Sequence, residues 1–196
     1  MKYLRNGTAA LVLAYGISAS AEQYAGVGLE LGNAEHDLSS ETFPILILAG
    51  RLGYEFENRF AMEVEATATS GSNKSGEGTC EFNFITTFPC SREDEVTRQS
   101  ISLLGLYNFD AGNQPMFSSI GVGVINSSYR STYSSEFLGR IDAVNEKSTD
   151  ALISLKAGAI FKEKHRTSLV WNAPYGSDKT GEFSYIGLSY SYLIEL

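Results

Sequence analysis

Long hydrophobic runs are what this sequence most lacks. Its longest apolar stretch, Thr8 to Ile17 (TAALVLAYGI), has 10 residues, about half of what a membrane-crossing helix needs. Cations are scarce as well: 15 Lys+Arg stand against 23 Asp+Glu, for a formal net charge of −8. Phosphate recognition rests on clustered Lys and Arg, so nucleic acid is set aside as a partner. Two Cys and two His show no ligand-like spacing, so no metal or cofactor is expected. What the chain does have is 19 Gly, 11 Tyr, 11 Phe and a 43% hydrophobic content over 196 residues. That apolar fraction excludes a disordered chain, and the length suits one domain.

Residues 1–21 read as a secretory signal peptide. Lys2 and Arg5 form a basic start, the ten-residue apolar run follows, and Ala19-Ser20-Ala21 gives the small-x-small cleavage site. The mature domain is then 22–196. Export to an oxidising space makes a disulfide between Cys80 and Cys90 the expected state of the two thiols.

Across the mature chain the apolar residues recur every second position. Val27, Leu29 and Leu31 alternate with Gly26, Gly28 and Glu30; Leu46, Leu48 and Leu52 with Ile47, Ala49 and Arg51; Met62 and Val64 with Glu63 and Glu65. The same period runs through 98–109, 116–125, 151–161 and 184–196, and more weakly through 167–175. Eight strands result. The links between them (32–44, 57–59, 71–97, 110–115, 126–150, 162–166, 176–183) alternate long and short. That rhythm predicts an all-β, eight-stranded antiparallel up-and-down transmembrane β-barrel, with long extracellular loops and short periplasmic turns. A soluble barrel would share the alternation with its apolar face inward. Two features favour the membrane: the polar face is rich in Gly and Ser, which suit a narrow lumen, and aromatics gather beside the short turns. Tyr54, Phe56, Phe60, Tyr107, Phe109, Phe161, Tyr190 and Tyr192 form an expected interfacial girdle. Phe43, Tyr129, Trp171 and Tyr175 are expected to form the opposite one.

The segments GRLGYEF (50–56), PMFSSIGVGV (115–124), LKAGAIF (155–161) and YIGLSYSYLIEL (185–196) resemble the small outer-membrane β-barrel family, which includes the outer membrane protein A barrel and the opacity proteins. The resemblance implies a bacterial outer-membrane location and contact with outer-membrane lipids, lipopolysaccharide and the insertion machinery. Such proteins usually end in an aromatic residue, whereas this chain ends in Leu196.

A barrel of eight strands fills its interior with side chains, so ions there must pair. The candidate network is Arg51, Glu63, Glu65, Glu30, Glu55 and Lys156. If Phe56 faces Phe60 across the short turn, Arg51 lies opposite Glu65 with Glu63 on the diagonal. The link 71–97 holds the second group of candidates, because Phe82, Phe84 and Phe88 between the two Cys would give a rigid contact surface for a protein partner. No residue is a catalytic candidate. His165 and Ser168 faintly resemble a deacylase pair, but His165 is expected in a periplasmic turn, the wrong end for that chemistry. The links 32–44 (Glu35, Asp37, Glu41) and 71–97 (Lys74, Arg92 against Glu77, Glu81, Glu93, Asp94, Glu95) are acidic, which disfavours polyanions. The function expected is that of an integral envelope protein acting through its surface loops with a side-chain-plugged lumen. A narrow passive channel is the alternative, and an outer-membrane lipid-modifying enzyme comes third.

Overall fold

The computed structural model describes residues 22–36, 41–56, 59–69, 71–82, 86–136, 139–175 and 183–196; the expected signal peptide and Phe84 lie outside them. Nine strands occur among the described residues: β1 (Glu22–His36), β2 (Glu41–Glu55), β3 (Phe60–Thr69), β4 (Ser72–Phe82), β5 (Thr86–Ala111), β6 (Gln114–Ser135), β7 (Gly139–Phe161), β8 (His165–Tyr175) and β9 (Phe183–Glu195). All pairings are antiparallel. β1 pairs with both β2 and β9, and β3 pairs with both β2 and β5, so β1–β2–β3–β5–β6–β7–β8–β9 form a closed ring of eight. Closure leaves no edge within the ring, the condition for crossing a hydrocarbon layer with strands.

The ninth strand continues β3. Ala68 pairs with Gln99 and Ser72 with Val96, so β4 takes up the ladder on β5 where β3 leaves it. Gly71 lies in the left-handed region at φ 88, which glycine enters without steric cost. The Thr69 hydroxyl accepts the Arg98 backbone N–H at 2.7 Å, satisfying a donor that the interrupted ladder would otherwise strand. A second irregularity interrupts the β6–β7 ladder between Ser131 and Thr132.

Outward residues form an apolar band. Val27, Leu48, Leu52, Ile120, Val122, Leu169 and Leu188 are all more than half exposed. The band stops sharply: beyond Ile101, Val124 and Ala151 the outward positions become Gln99, Thr97, Asn126, Ser128, Thr149 and Lys147. The strands do not stop there. A membrane strand needs about 9–11 residues, whereas β5, β6 and β7 have 26, 22 and 23. The expected long loops 71–97 and 126–150 are therefore corrected: with β4 they form a four-stranded sheet standing beyond the band, and β1 and β2 likewise extend through most of 32–44. These stretches escape a search for apolar alternation because both of their faces carry polar residues, as in Asn126-Ser127-Ser128.

Two further expectations are corrected. Phe43 and Tyr129 are buried inside the barrel at 0% and 5% exposure. Phe43 has the inward parity of Ile45 and Arg51 on β2, and Tyr129 that of Ser127 on β6. Of the four expected girdle residues at that end, Trp171 and Tyr175 face outward. His165 and Arg166 belong to β8, not to a turn; His165 packs on Tyr190 and Tyr192, while Arg166 and Ser168 are buried inward. His165 and Ser168 thus lie on opposite faces of one strand. At the short-turn end, Phe60 and Tyr107 are 5.1 Å apart and Tyr107 stacks on Phe109 at 6.2 Å.

Replacing Val122, in the middle of the band, by Arg is expected to cost about 2–4 kcal/mol of folding stability in a bilayer. Ser128→Arg, on the same face beyond the band, is expected to cost close to nothing. Denaturant refolding into lipid vesicles measures both.

Candidate functional site: the lumen and the projecting sheet

Strand parity sends one residue in two into a tube lined mostly by Gly, Ser and ions. Arg51 and Glu65 are ladder partners on β2 and β3. The Arg51 Nε donates to Glu65 Oε2 at 2.5 Å and lies 3.4 Å from Glu63 Oε1. Its Nη2 donates to Glu30 Oε1 and to Ser189 Oγ, each at 3.2 Å. From the far wall, Lys156 Nζ reaches Glu30 Oε1 at 3.0 Å and the Glu65 carboxylate at 2.6 and 2.5 Å. The five charged residues of this group are joined by two that sequence reading missed. Arg166 Nη1 donates to Glu63 Oε2 at 3.1 Å, and the Tyr24 hydroxyl donates to the same oxygen at 3.0 Å. Three carboxylates thus meet three cations in a core where each is at most 6% exposed.

Burial of this kind sets the energetics. Each ion surrenders its hydration, and the mutual attraction repays that only when geometry and hydrogen bonding are nearly complete. Removing one partner leaves an uncompensated charge, which costs more than the pair contributes. Glu55 stands apart from the network near the short-turn mouth, where it accepts a hydrogen bond from Asn108 Nδ2 at 2.7 Å. A cavity of about 790 Å³ opens there, lined by residues of both signs including Arg59, Asp110, Lys162 and Glu163, with Tyr24 and Arg166 among its walls.

Apolar layers flank the ions. On the short-turn side lie Ala61, Leu104, Leu106 and Phe117, with Ile160 against them. Towards the projecting sheet lie Phe43, Ile45, Ile47, Val96, Tyr129, Val170 and Tyr185. The order along β7 is the same, with Lys156 between Leu152 and Ile160. Gly53 is required here: a Cβ at that position would run into the Tyr24 ring.

Further out, Arg92 donates to Asp94 at 3.0 Å and to the Tyr129 hydroxyl at 2.9 Å. Burial works against the Arg92 charge, but these two bonds outweigh it and raise its pKa. In the same sheet Cys80 pairs with Phe88 in the ladder and Cys90 with Gly78, while Phe82 pairs with Thr86. The two Cys positions are therefore one diagonal step apart on neighbouring strands.

A closed eight-stranded antiparallel ring with an apolar exterior, an ion-filled interior and short turns at one end is the fold of small outer-membrane β-barrels. Two solved structures of one protein share that fold. Ail, the attachment invasion locus protein of Yersinia pestis, superposes with TM-score 0.52 at 11% identity, over 89% of this chain and 99% of Ail, in its complex with the heparin analogue sucrose octasulfate. A second Ail structure gives 0.51 at 11% identity, over the same shares of the two chains. Neisserial surface protein A gives 0.49 at 12% identity, over 88% of this chain and 98% of that one. No protein-family model matches the sequence, and no curated protein matches it.

Arg51→Ala is expected to destabilise the barrel by about 3–5 kcal/mol, because it leaves three buried carboxylates to two cations, Lys156 beside Glu30 and Glu65 and Arg166 beside Glu63. Urea unfolding of the refolded barrel in detergent, followed by the loss of its heat-modifiable gel mobility, measures this.

Proposed function

We propose that the chain is an integral protein of the bacterial outer membrane that works through the sheet projecting beyond the lipid, with the lumen serving as a structural plug. The single observation that carries this reading is the division of the molecule. The tube holds an ion network between two apolar layers, while β5, β6 and β7 each run more than ten residues longer than a membrane crossing requires. A conducting pore needs a continuous wetted path, and the layers of Phe117, Leu104, Ile47 and Phe43 oppose one. Residues 1–21 act as a cleaved signal peptide, and the Tyr and Phe girdle and apolar band contact outer-membrane lipids and lipopolysaccharide.

Within the projecting sheet, a disulfide between Cys80 and Cys90 clamps the tip of the β4–β5 hairpin. The aromatic positions Phe82, Phe84 and Phe88 then form a contact surface for a protein partner that loses little freedom on binding. The Ail structure contains a heparin analogue, but a polyanion is not carried over to this chain, because its β4–β5 hairpin holds Glu77, Glu81, Glu93 and Glu95 against Lys74, with Arg92 and Asp94 paired to each other. The acidic surface favours a basic protein partner. The chain supplies no catalytic group in this reading.

Planar-bilayer recording of the refolded protein is expected to show no long-lived open state; steady conductance at neutral pH would instead favour the narrow-channel reading. In parallel, retention on immobilised poly-lysine is expected to exceed retention on heparin. Replacing 76–90 by a tight turn is expected to lower that retention several-fold while leaving the barrel folded.

A further inference from the structure

The cavity at the short-turn mouth gathers charges that the ion network leaves unused. Inward parity places Glu195, Glu22 and Glu55 on the neighbouring strands β9, β1 and β2, and all three line it. Glu22 and Glu55 are direct ladder partners, an arrangement in which like charges repel. Positive charge gathers around the β7–β8 turn, where Lys162, Lys164 and Arg166 line the same space. On the remaining wall Arg59 and Asp110 offset each other at 3.5 Å. The mouth therefore has an acidic pole and a basic pole.

Each pole also holds a buried atom of matching kind without a partner. At the basic pole it is a donor, Arg166 Nε, in a residue 5% exposed whose Nη1 is already engaged by Glu63. At the acidic pole it is an acceptor, Asn108 Oδ1. The amide is oriented by its own Nδ2, which donates to Glu55 at 2.7 Å, and a carboxylate only accepts. Met116, Ile160 and Leu193 supply apolar wall between the poles. The backbone is strained around the same space. Arg59, Lys162 and Glu163, at φ 68, 48 and 62, are the described non-glycine residues in the left-handed region, and all three line the cavity. Such conformations concentrate at ligand clamps.

We infer that this mouth is a binding site for a short peptide with free ends. Glu22, Glu55 and Asn108 Oδ1 hold its ammonium, and Arg166 Nε with Lys162 and Lys164 holds its carboxylate. Span sets the length. Glu55 and Arg166 stand three strand spacings apart around the ring, about 14 Å along the wall and less across the mouth. A single amino acid cannot bridge that gap, whereas an extended tripeptide reaches about 10 Å. The cavity's 790 Å³ lies within the range of small-ligand sites. Neither pole holds an uncompensated buried ion, since Arg166 is paired with Glu63 and the other charges reach water. Selectivity comes instead from the separation of the signs and the two unused hydrogen-bonding atoms. The ammonium that cleavage after Ala21 leaves on Glu22 offsets one of the three carboxylates. The site lies at the opposite end of the barrel from the projecting sheet, so it stands or falls apart from any partner there.

The test is amide NMR of the refolded mature barrel in a non-ionic detergent, with trialanine as the probe. Shifts are expected at Gln23, Asn108, Lys164 and Leu193, and none at Val122 or Ser128. N-acetylation and C-amidation of the probe are each expected to weaken binding about tenfold. Glu22→Gln with Glu55→Gln is expected to erase most of the acetylation penalty and keep the amidation penalty. Lys162→Gln with Lys164→Gln is expected to do the converse. None of these four side chains is buried, so the barrel stays folded in both variants. Absence of shifts at the mouth, or trialanine binding no tighter than its doubly capped form, would overturn the inference.

Discussion

Closure of the ladder between β1 and β9 is the constraint on which everything else rests. Once Tyr24 pairs with Glu195 and His36 with Phe183, no backbone group in the ring is left at an open edge. Every residue then has one of two addresses, lipid or lumen, set by parity alone. A hydrocarbon exterior demands Val, Leu and Ile at one parity. The narrow interior of eight strands demands residues that either vanish, as Gly and Ser do, or neutralise one another, as Arg51, Lys156 and Arg166 do with Glu30, Glu63 and Glu65. Ions in such a core make register decisive, because a slip of one residue would exchange carboxylates for leucines.

Much of this was legible because parity is legible. An even residue sum at the short β2–β3 turn places Arg51 opposite Glu65 from sequence alone, and the ladder pairs those residues. Legibility fails where alternation loses its contrast. Asn126, Ser128 and Arg130 face water just as Ser127 and Ser131 face the interior, so the pattern cannot distinguish an extended strand of the projecting sheet from a loop. A turn boundary set after Arg166, two residues late, hides that residue, although it shares the parity of Ser168, Val170 and Asn172. Residue type points Phe43 and Tyr129 to a girdle, whereas their parity puts them inside.

The junction between β3 and β4 marks the place where the molecule changes solvent. Up to Ala68 the strand belongs to the ring and obeys the lipid rule. From Ser72 onward β4 follows β5 outward, and the outer face of β5 turns polar. Arg98 sits beside this junction, with its backbone bonded to Thr69 and its side chain crossing to Tyr185. The same junction thus ends the membrane-spanning part of one wall and positions a lumen cation at the outer end of the barrel.

The central claim is that lipid touches the even-numbered face of β6 while the odd-numbered face lies in a dry, ion-filled tube. Nuclear Overhauser contacts between detergent acyl chains and side-chain protons test it directly. The account predicts strong contacts for Leu103, Val122 and Leu188 and none for Leu104, Phe117 or Tyr185. Acyl-chain contacts to the second group, with Val122 and Leu188 shielded, would mean that the barrel is inside out relative to this description.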